Sequence, residues 1–405
     1  MDDGLPSQPG GADDDPDSLL RAGDHALFDS GDLLGSRHWY GLAAERADAN
    51  GDGVAMARAA LGLAGLWVHE HRSAVQAATV SAWQRRALGR LDQASPLAAR
   101  LQARMTAEAD YRAGTSEAIR AVVVEARARD DPVVLADALS LAHHCLLGPE
   151  HATTRLALAE ELLEVGAVSH RSTDTLMGLL WRTVDLFLAG HPHAERSLAE
   201  LRALTEEHGH AAVGYVVAAM DVMLCIRRGQ FEPAERLAEQ CAERGRTVGD
   251  ADAEGWYGAH ISAIRWFQGR SAELMPLLAE VVSSPTLAAS NDAYFAALAV
   301  SAAGAGDRAG ASGALRRLRG HGLGRLPRSS TWLVSLMGAI EAAALLDDHD
   351  GGRGLRVAPA VRRPPGDGES GRGVSRISPA AARPGGAHAG LGGLRRGPSP
   401  GRDPR

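Results

Sequence analysis

Residues 226–237 read Ile-Arg-Arg-Gly-Gln-Phe-Glu-Pro-Ala-Glu-Arg-Leu, a stretch in which an apolar helix meets a polar turn at Gly229 and a second helix begins. The same pattern recurs eight times along the chain, at a mean step of about 39 residues. One such helix pair cannot bury its apolar stripe alone, so neighbouring pairs must stack. The sequence therefore predicts a repeat protein. Its turns centre on Gly31, His71, Gly114, Gly148, Gly190, Gly229, Gly269 and Gly306.

Two columns of residues share the register of these turns. The first lies three residues before each turn and is apolar in every unit: Phe28, Val68, Tyr111, Cys145, Phe187, Ile226, Trp266 and Ala303. The second is a small residue near the start of each second helix: Ala74, Ala118, Ala152, Ala194, Ala234, Ala272 and Ala309. Small side chains let two helices cross closely, so we expect this second column to face the first helix of its pair.

The composition favours helices throughout. Of the 405 residues 45% are apolar but only 4% aromatic, which indicates a core of Ala, Leu and Val. These residues occur at helical spacing, and runs of alternating β-branched residues are missing. We predict an all-α fold, a right-handed superhelix (α-solenoid) of about eight helix pairs with disordered termini. The expected parts are an acidic arm at 1–17, the solenoid at 18–348 and a tail at 349–405.

The tail differs sharply from the rest of the chain. Residues 351–405 contain 14 Gly, 8 Pro and 11 Arg against 3 acidic residues. Extrapolating the period places a ninth turn near residue 345, so the first helix of a ninth pair should carry an apolar face without its partner. We assign that face to Trp332, Leu333, Leu336 and Ile340. Our hypothesis is that the tail is an out-of-frame translation or a degenerate truncation; the alternative is an Arg-rich arm that binds nucleic acid electrostatically.

Several classes of enzyme are excluded by residue types. The chain contains no lysine, so it has neither a P-loop lysine nor a Schiff-base lysine. The three cysteines lack CxxC spacing, which indicates reduced thiols and a cytoplasmic setting. No apolar segment near the N-terminus resembles a signal peptide, and no run is long enough to span a membrane.

Metal and cofactor sites are not expected. Residues 48–53 match the start of a calcium loop, but its twelfth position is Ala59, where a carboxylate is required. Aspartates at 13–15 and 347–350 resemble the clusters of all-α terpenoid synthases, yet both are placed in loops. A metal-dependent enzyme that uses paired histidines is the alternative from another class. Those pairs are His69 and His71, His143 and His144, His191 and His193, and His208 and His210.

The stretch 226–237 resembles a tetratricopeptide-type turn, Gly-x-aromatic-x-x-Ala, and the units at Gly114, Gly190 and Gly269 are looser versions. Residues 66–72 and 100–104 are similar in style to the helical-repeat part of actinobacterial signalling ATPases, including LuxR-type transcriptional regulators. The resemblance covers about residues 18–348. It implies a repeat region that senses an effector or partner and restrains an ATPase. The Walker lysine and a DNA-reading module of that family do not occur in this sequence.

We therefore expect a non-enzymatic, TPR-like scaffold for protein–protein interaction in transcriptional regulation or signalling, which binds a protein or peptide in its concave groove. The alternative is a truncated remnant of an ATP-dependent LuxR-type regulator. Aromatic and Arg side chains on first helices are the candidate partner contacts, although the Trp rings could instead form core between repeats. The candidates are Trp181, Arg182, Trp256, Tyr257, Arg265 and Trp266.

Overall fold

A computed structural model of the chain describes residues 15–68, 74–283, 292–320, 326 and 331–347. Within these ranges all regular structure is helical and no strand occurs, which confirms the predicted all-α class. None of these helices has the length and apolarity needed to cross a membrane. The helices are α1 Pro16–Asp24, α2 Leu33–Asn50, α3 Gly53–Ala64, α4 Ala74–Leu88, α5 Pro96–Ala113, α6 Glu117–Arg127, α7 Pro132–Cys145, α8 Ala152–Ser169, α9 Ser172–Leu188, α10 Ala194–His208, α11 Ala211–Arg227, α12 Phe231–Val248, α13 Ala253–Phe267, α14 Met275–Ser283, α15 Ala293–Gly304, α16 Arg308–Gly320 and α17 Trp332–Leu345. A π-helical turn, His25–Ser30, follows α1, and 3₁₀ turns Pro149–His151 and Ser271–Leu274 precede α8 and α14.

Each predicted turn falls between an odd-numbered helix and the even-numbered helix after it. At Gly229 the backbone is left-handed, with φ of +70°, and its N–H donates to Ile226 O at 2.9 Å. The next N–H, of Gln230, donates to Cys225 O at 3.0 Å, so two free carbonyls at the end of α11 are satisfied. Left-handed glycines take the same place at residues 31, 114, 190, 269 and 306. Gly148 differs, with φ of −71°, and His71 lies outside the described residues.

The column of small residues is correct in only two units. Ala194 and Ala234 are buried, at 4% and 0% exposure. Their counterparts at 118, 152, 272 and 309 are exposed, and Ala74 is a position whose side chain is not described. In three of these units the buried position comes one or two residues later, where Ile119, Leu274 and Ala311 face the core, because the second helix starts at a different rotation after its turn.

Helices pack against their sequence neighbours and, in several places, against the next helix but one. Such contacts join α3 to α5, α5 to α7, α7 to α9, α11 to α13 and α15 to α17. The largest apolar core gathers residues from α5 to α11 and includes Leu139, Leu162 and Leu201. A separate core joins α15, α16 and α17. First helices therefore lie side by side through much of the described chain.

The N-terminal helices also contact elements far along the chain. Thr173 Oγ1, at the start of α9, donates to Phe28 O at 2.8 Å, and an Arg37 terminal nitrogen donates to Gly249 O at 2.7 Å. A Cβ at Gly31 would lie 2.7 Å from Ala212 N, so only glycine permits this approach to α11. The repeat pattern did not predict these contacts. Of these contacts, the hydrogen bond between Thr173 and Phe28 borders the space next to α3, α5, α7 and α9.

The terminal parts agree with the prediction in some respects and not in others. The first helix begins at Pro16, two residues before the expected boundary, and residues 1–14 and 348–405 lie outside the description. Within α17, Leu333 and Ile340 are exposed as expected, at 45% and 51%. Assigning Trp332 and Leu336 to the same open face was wrong. They lie on the adjacent side of the helix and pack with Leu326 at 4% and 8% exposure.

Candidate functional site

A row of alternating charges crosses three successive first helices. Arg100 Nε of α5 donates to Asp137 Oδ2 of α7 at 2.6 Å, and an Arg171 terminal nitrogen, just before α9, donates to Asp137 Oδ1 at 2.6 Å. Arg171 also makes two bonds to Asp174, at 2.8 and 2.9 Å. Burial by itself would raise the pKa of Asp137, but Arg100 and Arg171 outweigh it and lower that pKa to about 2. Burial raises the pKa of Asp174 despite the neighbouring Arg171.

The end of α3 is fixed to this row by a second arginine of α5. Arg104 is 5% exposed and donates to the backbone carbonyls of Ala64, Gly65 and Trp67, the last at 2.6 Å. Its Nε donates to Glu108 Oε1 at 2.8 Å. These carbonyls lie beyond the last helical hydrogen bonds of α3 and need donors when buried. Arg104 therefore stabilises the position of α3 beside α5.

An aromatic row runs alongside the charged one. The rings of Tyr111 in α5 and His144 in α7 meet edge to face at 5.6 Å, and His144 meets Trp181 of α9 in the same way at 5.2 Å. Trp67 contacts Trp181 at 6.2 Å. The Trp181 Nε1–H donates to Ser140 Oγ at 3.1 Å, which satisfies its polar edge. All four aromatic side chains are half-buried, so each keeps part of its surface open.

A pocket of about 90 Å³ opens beside the charged row. A space of this size admits a small chemical group. The Thr173–Phe28 hydrogen bond lies at its edge. Apolar side chains supply the rest of its lining, chiefly Phe28, Leu61, Leu66, Leu141 and Met177.

A network of buried, hydrogen-bonded side chains packs against one face of Trp181. The His143 ring stacks on Trp181 with centroids 4.7 Å apart, and its Nε2–H donates to Asp185 Oδ2 at 2.8 Å. Arg155 Nε donates to the other Asp185 oxygen at 2.7 Å, and Arg155 also reaches Leu146 O at 2.8 Å. Burial lowers the pKa of His143 despite the neighbouring Asp185, which favours the neutral form of the ring. The network fixes the orientation of Trp181.

Close to this His–Asp pair lies the thiol of Cys145. The nearby Cys145 Sγ donates to Ala107 O at 3.4 Å, and burial raises the pKa of its thiol to about 12. A thiol with such a pKa stays protonated and is unreactive. Across the described residues, no group of three His, Cys, Asp or Glu side chains could hold a metal ion. His69 and His71 lie outside the description.

The predicted contact residues fall into two groups. Trp181 belongs to the aromatic row, whereas its neighbour Arg182 pairs with Glu200 of α10 at 2.8 Å. The other four lie on α13, which packs against α11 and α12. There Trp256 meets the buried Tyr215 ring at 6.0 Å. On the same helix Tyr257 is half-buried beside it, Arg265 pairs with Glu235 and Glu273, and Trp266 packs on the core of α15–α17.

Apart from Trp181, the residues of the two rows are not among the predicted contacts, although the sequence carries their signal. Arg100 and Asp137 are 37 residues apart, and Asp137 and Arg171 are 34 apart, which is about one repeat in each case. The aromatic row has the same spacing. Side chains one period apart on neighbouring first helices become neighbours in space. No family model, curated protein or solved structure matches the chain.

Proposed function

We propose that the chain is a non-enzymatic, TPR-like scaffold for protein–protein interaction, acting in transcriptional regulation or signalling in the cytoplasm. In this proposal the helix pairs form a right-handed superhelix, and an extended partner segment crosses the first helices. One observation carries the proposal: α5, α7 and α9 present a charged row and an aromatic row at matching positions, beside a pocket for one small group.

The arrangement favours a partner with an acidic and an apolar side chain. Arg100 uses only its Nε in hydrogen bonding to the described residues, so its terminal N–H groups can bind a carboxylate in a bidentate manner. The half-open rings of Trp181 and Tyr111 offer apolar area close by. Rigid aromatic and Arg side chains of this kind are the residues that contribute most at protein interfaces. We therefore expect an extended peptide with a carboxylate followed by an apolar anchor.

Selection from a random peptide library on the purified full chain tests this function. Selected peptides should share an acidic and an apolar position, and they should bind Arg100→Gln and Trp181→Phe chains at least about tenfold more weakly. Arg196→Gln on α10, whose side chain is 76% exposed, is the matched arginine control, and Trp256→Phe is the tryptophan control. Absence of any enriched peptide, or equal weakening by the control substitutions, would argue against binding at this face.

A further inference from the structure

Helix α17 has an apolar face that no other described residue covers. Its exposed large apolar side chains are Leu333, Val334, Met337, Ile340 and Leu345, at 45%, 56%, 53%, 51% and 46% exposure. Positions 333, 337, 340 and 344 alternate steps of four and three residues, the spacing of a seam between two packed helices. The one charged side chain in this region is the half-buried Glu341. The face therefore has the composition of an interface.

The packing around the preceding first helix indicates that a helix would cover this face of α17. The preceding first helix, α15, is packed by both α16 and α17. Helix α17 itself packs on α15 and α16 through its other side, with Ala339 and Ala342 fully buried. The sequence that follows offers no substitute, because residues 348–405 contain no stretch longer than five residues without Gly or Pro. Such a sequence predicts no amphipathic helix that could cover the face.

The size of the face suits a pairing of two copies. From the exposures of its five large side chains, the apolar patch measures roughly 500 Å². Two such patches bury at most about 1,000 Å² in total, which is the lower limit for a specific interface. A two-fold interface must be complementary to itself, and a seam of Leu, Met, Ile and Ala satisfies this without placing opposite charges. A second copy of the chain is therefore a sufficient partner.

We propose that two copies of this chain associate through α17, with the two helices antiparallel about a two-fold axis. In this arrangement Met337 lies against the partner's Ile340, and Leu333 lies against the partner's Ala344. A parallel pairing would place the two Glu341 carboxylates at the same level of the seam. The antiparallel one moves them about five residues apart, which weakens their repulsion. This pairing is independent of the partner-binding face on α5, α7 and α9.

Sedimentation equilibrium of the full chain over a micromolar concentration series tests the pairing. We expect the average mass to rise from that of one chain towards that of two. Met337→Glu and Ile340→Glu should each shift the midpoint at least tenfold to higher concentration. Val75→Glu is the control, because Val75 is 76% exposed on α4 and lies outside the seam. Circular dichroism checks that all variants remain folded. A chain that stays monomeric, or a dimer that both α17 substitutions leave intact, would overturn the proposal.

Disulfide trapping tests the direction of the two helices. A Met337→Cys chain mixed with an Ile340→Cys chain should give more cross-linked dimer under mild oxidation than either chain alone. Two of the native thiols, Cys145 and Cys241, are buried, and the third, Cys225, is half-buried, so a Cys225→Ser background removes the accessible one. Cross-linking that is strongest for Met337→Cys alone would indicate a parallel pair and contradict the antiparallel arrangement.

Discussion

Replacing Asp185 with Ala should destabilise the protein more than any change to a surface ion pair. The Asp185 side chain is 2% exposed and accepts from both Arg155 and His143, at 2.7 and 2.8 Å. Without it, the Arg155 guanidinium, 6% exposed, keeps its charge but bonds only to backbone carbonyls. The His143 Nε2–H loses its acceptor as well. Both groups then remain buried without their partner.

The expected loss of stability follows from the free-energy cost of leaving a buried charged group without its partner. Breaking a buried ion pair by removing one partner costs about 3–5 kcal/mol, because the remaining charge is desolvated and uncompensated. The surface pair of Arg228 and Glu195 has a similar length, 2.8 Å, but its side chains are 53% and 59% exposed. Exposed pairs contribute about 0–1 kcal/mol. Glu195→Ala therefore serves as the matched control, and we expect it to change stability little.

Urea unfolding followed by circular dichroism measures both variants, and the slope of each transition shows whether the unfolding unit is unchanged. Asp185→Asn should fall between the two, because the amide oxygen still accepts from Arg155 but carries no charge. If Asp185→Ala lost no more stability than Glu195→Ala, the buried network would not hold α7, α8 and α9 together in the way described.

Two further predictions concern acid stability and helix packing. Burial lowers the pKa of His260 from its ordinary 6.5 to about 4. As the pH falls, the unfolded chain therefore binds a proton at His260 before the folded chain does. Stability should be complete above pH 6.5 and fall as the pH drops towards 4, by at most about 3 kcal/mol, and His260→Leu should reduce that loss in melting curves at pH 7 and 5. A Cβ at Gly62 would overlap the buried Tyr40 ring, which donates to Asp24 Oδ1 at 2.7 Å, whereas Gly258 has nothing within 4 Å. Gly62→Ala should therefore lower the free energy of unfolding in urea by about 1–3 kcal/mol, and Gly258→Ala should raise it by about 0.5–1 kcal/mol. A gain in stability at both positions would show that Tyr40 is free to move.

The helices and turns could be predicted because they depend on local sequence. At six of the eight predicted turns, a left-handed glycine such as Gly229, preceded three positions earlier by an apolar residue, marks the end of a first helix. Rotation of the second helix depends on its first turn, so the sequence placed Ala118 inward where the structure buries Ile119. The local sequence therefore determines where a helix begins and ends, whereas packing determines which side of the helix faces the core.

The candidate site was predicted only in part for a related reason. Trp181 stands out as an aromatic residue on a first helix, but Arg100, Asp137 and Arg171 look like ordinary surface charges until three helices are placed side by side. The contact between Arg37 and Gly249 joins residues 212 positions apart and has no counterpart in the repeat period. Closure of the N-terminal helices onto α9, α11 and α12 is a tertiary property that local periodicity does not contain.

We propose that the face formed by α5, α7 and α9 binds a partner segment, and hydrogen–deuterium exchange of the full chain with and without a library-selected peptide shows whether it does. We expect slower exchange on peptide binding in residues 96–113, 132–145 and 172–188, with little change in residues 253–267. Slower exchange confined to residues 253–267 would contradict the claim, because it would place the partner on α13 and leave the two rows with a structural role.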